Sequence, residues 1–404
     1  FGQGEFLVHD GKSIIRFLRG HGVGLGKITF DLMLAAYVAG VFSRDLSYAA
    51  LINRELGRMT SLDPREELGH FFEIVRSLES KLSAGKLGHV FREIELPLVP
   101  VLAAMEERGI LLDCAVLRNL SKNADEKLRK LTQKIYALAG GPFNINSSQQ
   151  LAVILFEKLK IRTAGLRKTP KGGVVSTGAA ELEKLKGVHP VISEILEYRE
   201  YAKLKTTYLD ALPELVDFKT GRLHTTLNQT GTATGRLSSS DPNLQNIPVL
   251  SKFGREVRKA FVAPSGFVLA SFDYSQIELR VAAHIAQDKK MIDAFRRGLD
   301  IHKITASEIY NVSLEKVTPE LRRAAKTLNF GILYGMGPQA LAENTGMSRE
   351  EAKEFINEYF HDFAGIKNYL ARTIDFAKEH GYVETIFGRR RYIPEVLSSN
   401  WRLR

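Results

Sequence analysis

Arg322, Lys326, Phe330 and Tyr334 recur every fourth residue in RRAAKTLNFGILYG, 322–335. On a helix that spacing lays the four side chains along one slowly drifting stripe. Two cations followed by two aromatic rings suit a ligand with a charged phosphate end and a flat base end, which describes a nucleotide. Guanidinium and ammonium groups donate to phosphate oxygens, and a base stacks on a ring. The alternative is a solvated basic turn leading into core aromatics. Gly331 and Gly335 sit inside the helical pattern, at a cost of about 1 kcal/mol each against Ala. Such glycines usually mark the close approach of a backbone or a ligand. Thr318 and Pro319 suit the cap and first turn of this helix.

A second group lies in FVLASFDYSQIELRVAAH, 267–284. Val268, Leu269, Ala270 and Phe272 read as a buried strand that ends at Asp273. A carboxylate at a strand lip is rigid and open, which suits Mg2+ bound by one or two carboxylates plus substrate phosphates. A helix-start or turn aspartate is the alternative. Ser275 and Glu278 read as a capping box, with Ile277, Val281 and Ile285 on the buried face of the helix that follows. Residues 221–248 are rich in Thr, Ser, Asn and Gln, and Arg236 adds a cation. Small hydroxyl and amide side chains bond sugars, phosphates and groove edges without reading sequence. A long surface loop is the other reading, uncommon in a compact chain unless functional.

The elements that must position these groups are mostly helical. At 404 residues the chain should hold two or three domains, and 44% hydrophobic residues can bury a large core. A formal net charge of +11 favours an anionic partner, nucleic acid first. Cys114 is the only cysteine, which excludes a disulfide framework and a cysteine zinc site and points to a reducing compartment. No apolar run has membrane-spanning length, and no signal peptide is present. The chain opens on Phe1 without a Met and reads as a fragment. GHGVGLGK at 20–27 lacks P-loop spacing and reads as a Gly-rich turn. FDLMLAAY at 30–37 starts a helix with Asp31 near its beginning. Leu98, Val101, Leu102 and Met105 predict a helix that ends at Gly109, before a short strand at 110–112. The 115–215 region is helical, interrupted at 139–149 and 168–178. Lys203 and Lys205 lie on a charged helix face. Residues 338–356 carry the Ala342-to-Gly346 spacing and Ser348–Glu351 capping box of a helix-turn-helix.

The 322–335 string resembles the nucleotide-binding O helix of family A DNA polymerases. Residues 267–284 resemble motif A of that family, 221–248 its primer–template motif, and 30–37 the second motif of its 3′–5′ exonuclease domain. The fold implied is α+β and mostly helical: a right hand of thumb, fingers and incomplete antiparallel palm, after a partial, inactive exonuclease-like domain. The implied boundaries are 1–85 for that domain and 86–404 for the polymerase core. Within the core the thumb is about 115–215, the palm about 216–284 and 386–404, and the fingers about 285–385. The first exonuclease motif is absent, and no Tyr–Asp pair occurs at 70–82, so Asp31 is expected to be structural.

The resemblance implies templated transfer of dNMP to a primer 3′-hydroxyl, a nucleotidyltransferase activity in DNA replication and repair that uses two Mg2+ ions. Asp273 and Lys326 would be catalytic, with Asp273 and Tyr274 on metal. Arg322, Lys326 and His302 would take the triphosphate. Gln276, Glu278, Phe330 and Tyr334 would contact the rest of the dNTP, and Phe330 implies discrimination against dideoxynucleotides. Lys203, Lys205, Arg236, Asn243 and Gln245 would hold primer–template DNA. The partners implied are DNA and dNTPs, not a membrane, with the protein a monomer in the bacterial cytoplasm or nucleoid. Two departures stand out. Leu250 replaces a basic residue, and the His-Asp-Glu that brings the second metal carboxylate does not occur. His361-Asp362 is followed by Phe363 in a helical stretch and is a poor substitute. Half a two-metal site implies no turnover by these residues alone. Rival readings are a catalytically dead relative and a helix-turn-helix DNA binder.

Overall fold

The computed structural model describes residues 4–398, apart from 42, 44, 62, 169–172, 174 and 250. Leu250 therefore lies outside the described residues. Two compact units emerge, one from 1–34 with 94–270 and one from 35–93 with 271–404. This partition cuts across the sequence division at residue 85, because the N-terminal 34 residues join the first unit.

In the first unit, helix Leu96–Arg108 stops at Gly109 and feeds strand Ile110–Leu112. Gly109 has φ 57°, and a Cβ there would meet the Leu223 carbonyl oxygen at 2.6 Å, so this turn requires glycine. The strand is central in a four-stranded antiparallel sheet with Arg222–Leu223, Val216–Asp217 and Phe261–Val262. The helix exists as predicted, but its buried face is different. Val101 and Met105 are 51% and 54% exposed, while Val99, Leu102, Ala103 and Glu106 point inward. That inward stripe has i, i+3, i+4, i+7 spacing. Its fourth member is a glutamate, which hides the stripe from a hydrophobic count.

Helix Cys114–Ala139 begins on Asp113, whose carboxylate accepts from the amides of Ala115 and Val116, and ends at left-handed Gly140. It packs on helix Pro190–Leu204. The 221–248 run is no open loop: Thr226–Asn228 and Ser238–Ser240 pair as an antiparallel hairpin. Asp31 is buried and accepts from the amides of Gly11, Met33 and Leu34. Its oxygens are occupied by backbone at a helix start.

The second unit holds helices Ile277–Ala286, Lys289–Arg296, Ile301–Ile309, Pro319–Leu333, Pro338–Thr345, Arg349–Asp362 and Ala364–His380. Ala283, Met291, Ile301, Ile332, Phe363 and Ile366 share one core. The capping box at Ser348 and Glu351 forms with both of its bonds.

Two expectations fail here. Residues 267–274 form no strand, and Val268 and Phe272 are 87% and 95% exposed. A strand needs a neighbour for its N–H and C=O groups, and none of the described residues pairs with this segment. The helix after it begins at Ile277 without a Ser275–Glu278 capping box. Its cap is Gln276, at φ 53° and with no side-chain bond. Ile277 is 43% exposed, and the inward face is Leu279, Ala282, Ala283 and Ala286. Glu278 is turned to a different partner, described next.

Candidate nucleotide site

Thr318 Oγ1 accepts from the Leu321 amide and opens helix Pro319–Leu333, as its sequence predicts. The glycines have local causes. A Cβ at Gly331 would meet the Met336 side chain at 2.3 Å. Gly335 lies beyond the helix end, at φ 84°, where the chain turns. Neither requires a ligand.

The four-residue stripe forms. Arg322 Nε donates to Asp300 Oδ2 at 2.6 Å. Asp300 also caps helix Ile301–Ile309, accepting from the amides of His302 at 2.9 Å and Lys303 at 3.3 Å. Burial pushes the Asp300 carboxyl up, but Arg322 and those amides together hold it below the usual carboxylate value. Lys326 is exposed, with Nζ 6.0 Å from the Phe330 ring centre. Phe330 stacks on Tyr334 with ring centres 6.3 Å apart and planes 15° from parallel. The Tyr334 hydroxyl donates to the Glu278 carboxylate. A cationic head, an aromatic tail and a carboxylate thus occupy one continuous surface.

Beneath the stripe lies His302, 1% exposed. Its ring centre is 5.7 Å from that of Phe330. Asn329 Nδ2 lies 3.1 Å from His302 Nδ1, and the Thr305 hydroxyl lies 3.1 Å from both Oδ1 and Nδ2 of Asn329. Burial pulls the imidazole from its ordinary 6.5 to about 4, with Arg322 and Lys326 acting in the same direction and Asp300 against them. The neutral ring is therefore the folded form. Between pH 6.5 and 4 the unfolded chain binds a proton that the folded chain refuses, so stability is full above 6.5 and falls on acidification. Thermal midpoints across that range should show this slope, and His302→Gln should flatten it. An unchanged slope would contradict the assignment.

Arg322, Lys326, Phe330, Tyr334, His302 and Glu278 lie together in the second unit. Asp300, Thr305 and Asn329 hold them there and were not anticipated. Asp300 had a signal, since Asp directly before a helix caps it. Asn329 had none, because a lone Asn beside Phe330 resembles filler.

Asp273, Tyr274 and Gln276 lie in or at the end of the coil leading to the Glu278 helix, with Asp273 exposed and Tyr274 79% exposed. Among the described residues no three His, Cys, Asp or Glu side chains group as a metal site. Asp273 with a neighbouring carbonyl fits one Mg2+ completed by substrate phosphates. The donor set does not fit a second ion.

In the first unit, Arg236, Asn243 and Gln245 are exposed on and just after the 226–240 hairpin. Gln245 Nε2 donates to the Leu237 carbonyl at 3.3 Å, and its amide to Asn243 Oδ1 at 3.0 Å, which draws the three predicted residues into one surface. Lys203 is exposed at the end of its helix. Lys205 is 17% exposed and committed within the chain: Nζ lies 2.7 Å from Asp210 and 3.5 Å from Asp125. No helix among the described residues is long and apolar enough to cross a membrane.

The ordered stripe and the hairpin surface sit in a chain whose residues 114–404 match the family model for DNA polymerase family A. The chain belongs to that family. The thermostable DNA polymerase I of Thermus aquaticus is 50% identical over 307 residues, covering 76% of this chain and 37% of that protein. DNA polymerase I of Caldicellulosiruptor bescii is 48% identical over 402 residues, covering 98% of this chain and 47% of that protein. The chain thus spans less than half the length of these relatives. The solved POL domain of Pol1 from M. smegmatis, in complex with DNA primer-template and dNTP, superposes with TM-score 0.90 at 37% identity, covering 98% of this chain and 70% of that one. The mostly helical fold is that of a polymerase domain. The 338–356 helix pair lies inside the matched region, which does not favour the helix-turn-helix reading.

Proposed function

We propose that this chain is the core of a DNA-directed DNA polymerase, binding primer–template DNA and a dNTP for transfer of dNMP to the primer 3′-hydroxyl. The observation that carries this reading is the stripe itself: exposed Lys326 ahead of the stacked Phe330–Tyr334 pair, over buried neutral His302. Lys326 and Arg322 neutralise the triphosphate, Phe330 packs on sugar and base, and Tyr334 with Glu278 bounds the sugar and template side. Arg236, Asn243, Gln245 and Lys203 hold duplex backbone. Asp273, with the Tyr274 carbonyl, would hold Mg2+, which when bound neutralises developing charge and lowers the pKa of the attacking hydroxyl. Nucleotidyl transfer asks mainly positioning and charge neutralisation of the protein. The helices of 115–215 serve as thumb and those of 285–385 as fingers. The protein acts as a cytoplasmic monomer in this reading.

The test is template dependence. With a primer–template present, the dNTP complementary to the next template base should bind more tightly than the other three. DNA binding itself should be blind to sequence and weaken steeply with salt. Four dNTPs held equally, whatever the template, would overturn the proposal.

A further inference from the structure

We propose that Asn329 is a positioning residue of the triphosphate grip: by donating to His302 Nδ1, it fixes the imidazole as an Nε2–H donor aimed at a phosphate oxygen. The inference rests on the nucleotide reading above and assigns work to a residue outside the stripe.

An amide nitrogen offers only hydrogens. With Asn329 Nδ2 turned to the ring at 3.1 Å, His302 Nδ1 keeps its lone pair and the ring proton sits on Nε2, the orientation this proposal assigns. The Thr305 hydroxyl lies 3.1 Å from both the oxygen and the nitrogen of this amide, and burial of both residues keeps the group in place beside the ring. A ring protonated at both nitrogens would set an N–H against an N–H. His302 Nε2 is itself buried and has no hydrogen-bond partner among the described residues. A buried donor without an acceptor is costly and calls for a reason.

The surroundings identify the missing acceptor. Two cations, Arg322 and Lys326, act on the ring. The carboxylate that also acts on it, Asp300, is taken by Arg322 and two backbone amides. An acceptor drawn to that place is anionic and brings its own oxygens, as a nucleotide triphosphate does. The neutral ring suits the task, since it donates to a phosphate oxygen without adding a third charge that the buried site would have to desolvate.

The experiment combines tautomer spectroscopy with nucleotide affinity on the full chain. In [15N]histidine-labelled protein, His302 should show a protonated Nε2 and an unprotonated Nδ1 from about pH 6 to 8, a range above its displaced titration. Asn329→Leu should release the ring to both tautomers and raise the Kd for dTTP·Mg2+ about 3- to 10-fold, the worth of one hydrogen bond. In a His302→Phe background the same change should have no further effect on dTTP affinity. A purely structural Asn329 would act equally in both backgrounds. Asn329→Asp, which accepts where Asn donates, should instead favour the doubly protonated ring and raise its pKa. A wild-type ring protonated at Nδ1 would overturn the inference even if no variant folds. Additive effects in the cycle would also overturn it. Failure of the wild-type chain to bind dTTP at all would sink the nucleotide reading, and this inference with it.

Discussion

Replacing Lys326 by Ala is expected to weaken dNTP binding by roughly 10- to 150-fold, the range for a lost hydrogen bond between charged groups. The fold should be untouched. Lys326 is exposed, with its ammonium set over the Phe330 ring. Ala is also the better helix former. Loss of affinity with unchanged thermal stability would then be a statement about the ligand alone. Arg322→Ala is a poorer probe of the same idea, because it also strips Asp300 of its guanidinium. The decisive comparison is across phosphate number. The penalty in Lys326→Ala should be largest for the triphosphate, smaller for the diphosphate and close to nothing for the nucleoside. A uniform penalty across all three would place Lys326 near the base, and no penalty would remove it from the site. The affinities can be read by equilibrium dialysis or calorimetry with Mg2+ present.

The stripe was legible because its information is local. Four residues at helical spacing, a Thr-Pro start and a helix-length span suffice to place Arg322, Lys326, Phe330 and Tyr334 together. The Ser348–Glu351 box and the turn at Gly109 are local in the same sense. The failures are all non-local. Val268 to Phe272 has a strand's composition, but strand formation depends on a partner that composition cannot name. The Ser275–Glu278 pair has capping-box spacing, yet Glu278 is claimed by Tyr334, 56 residues away. Asn329 and Thr305 became important only once two helices packed and set them against His302. Glu106 escaped notice for the same reason, since a glutamate on an apolar helix face ordinarily reads as a solvent position.

Glu106→Ala is expected to destabilise the first unit by about 3–5 kcal/mol, the cost of orphaning a buried charge. The Glu106 side chain is wholly buried, with Lys12 Nζ at 2.5 Å and Arg16 at 2.8 Å. It also accepts from the Leu227 amide at 2.7 Å, on the first strand of the hairpin that bears Arg236. Truncation leaves the Leu227 amide without its acceptor and the Lys12 ammonium, 12% exposed, with only the Leu227 carbonyl and no counter-charge. Urea unfolding should show the loss as a lower midpoint at constant slope. Lys12→Met combined with Glu106→Leu should recover much of it, because removing both charges spares their desolvation. The functional consequence separates the two surfaces. The hairpin loses an anchor, so primer–template affinity should fall, while dNTP affinity without DNA should not, because every residue of the stripe and its support lies in the second unit. A variant with intact DNA binding and normal stability would show that Glu106 is a bystander. Equal losses of DNA and free-nucleotide affinity would show that the two surfaces are not independent.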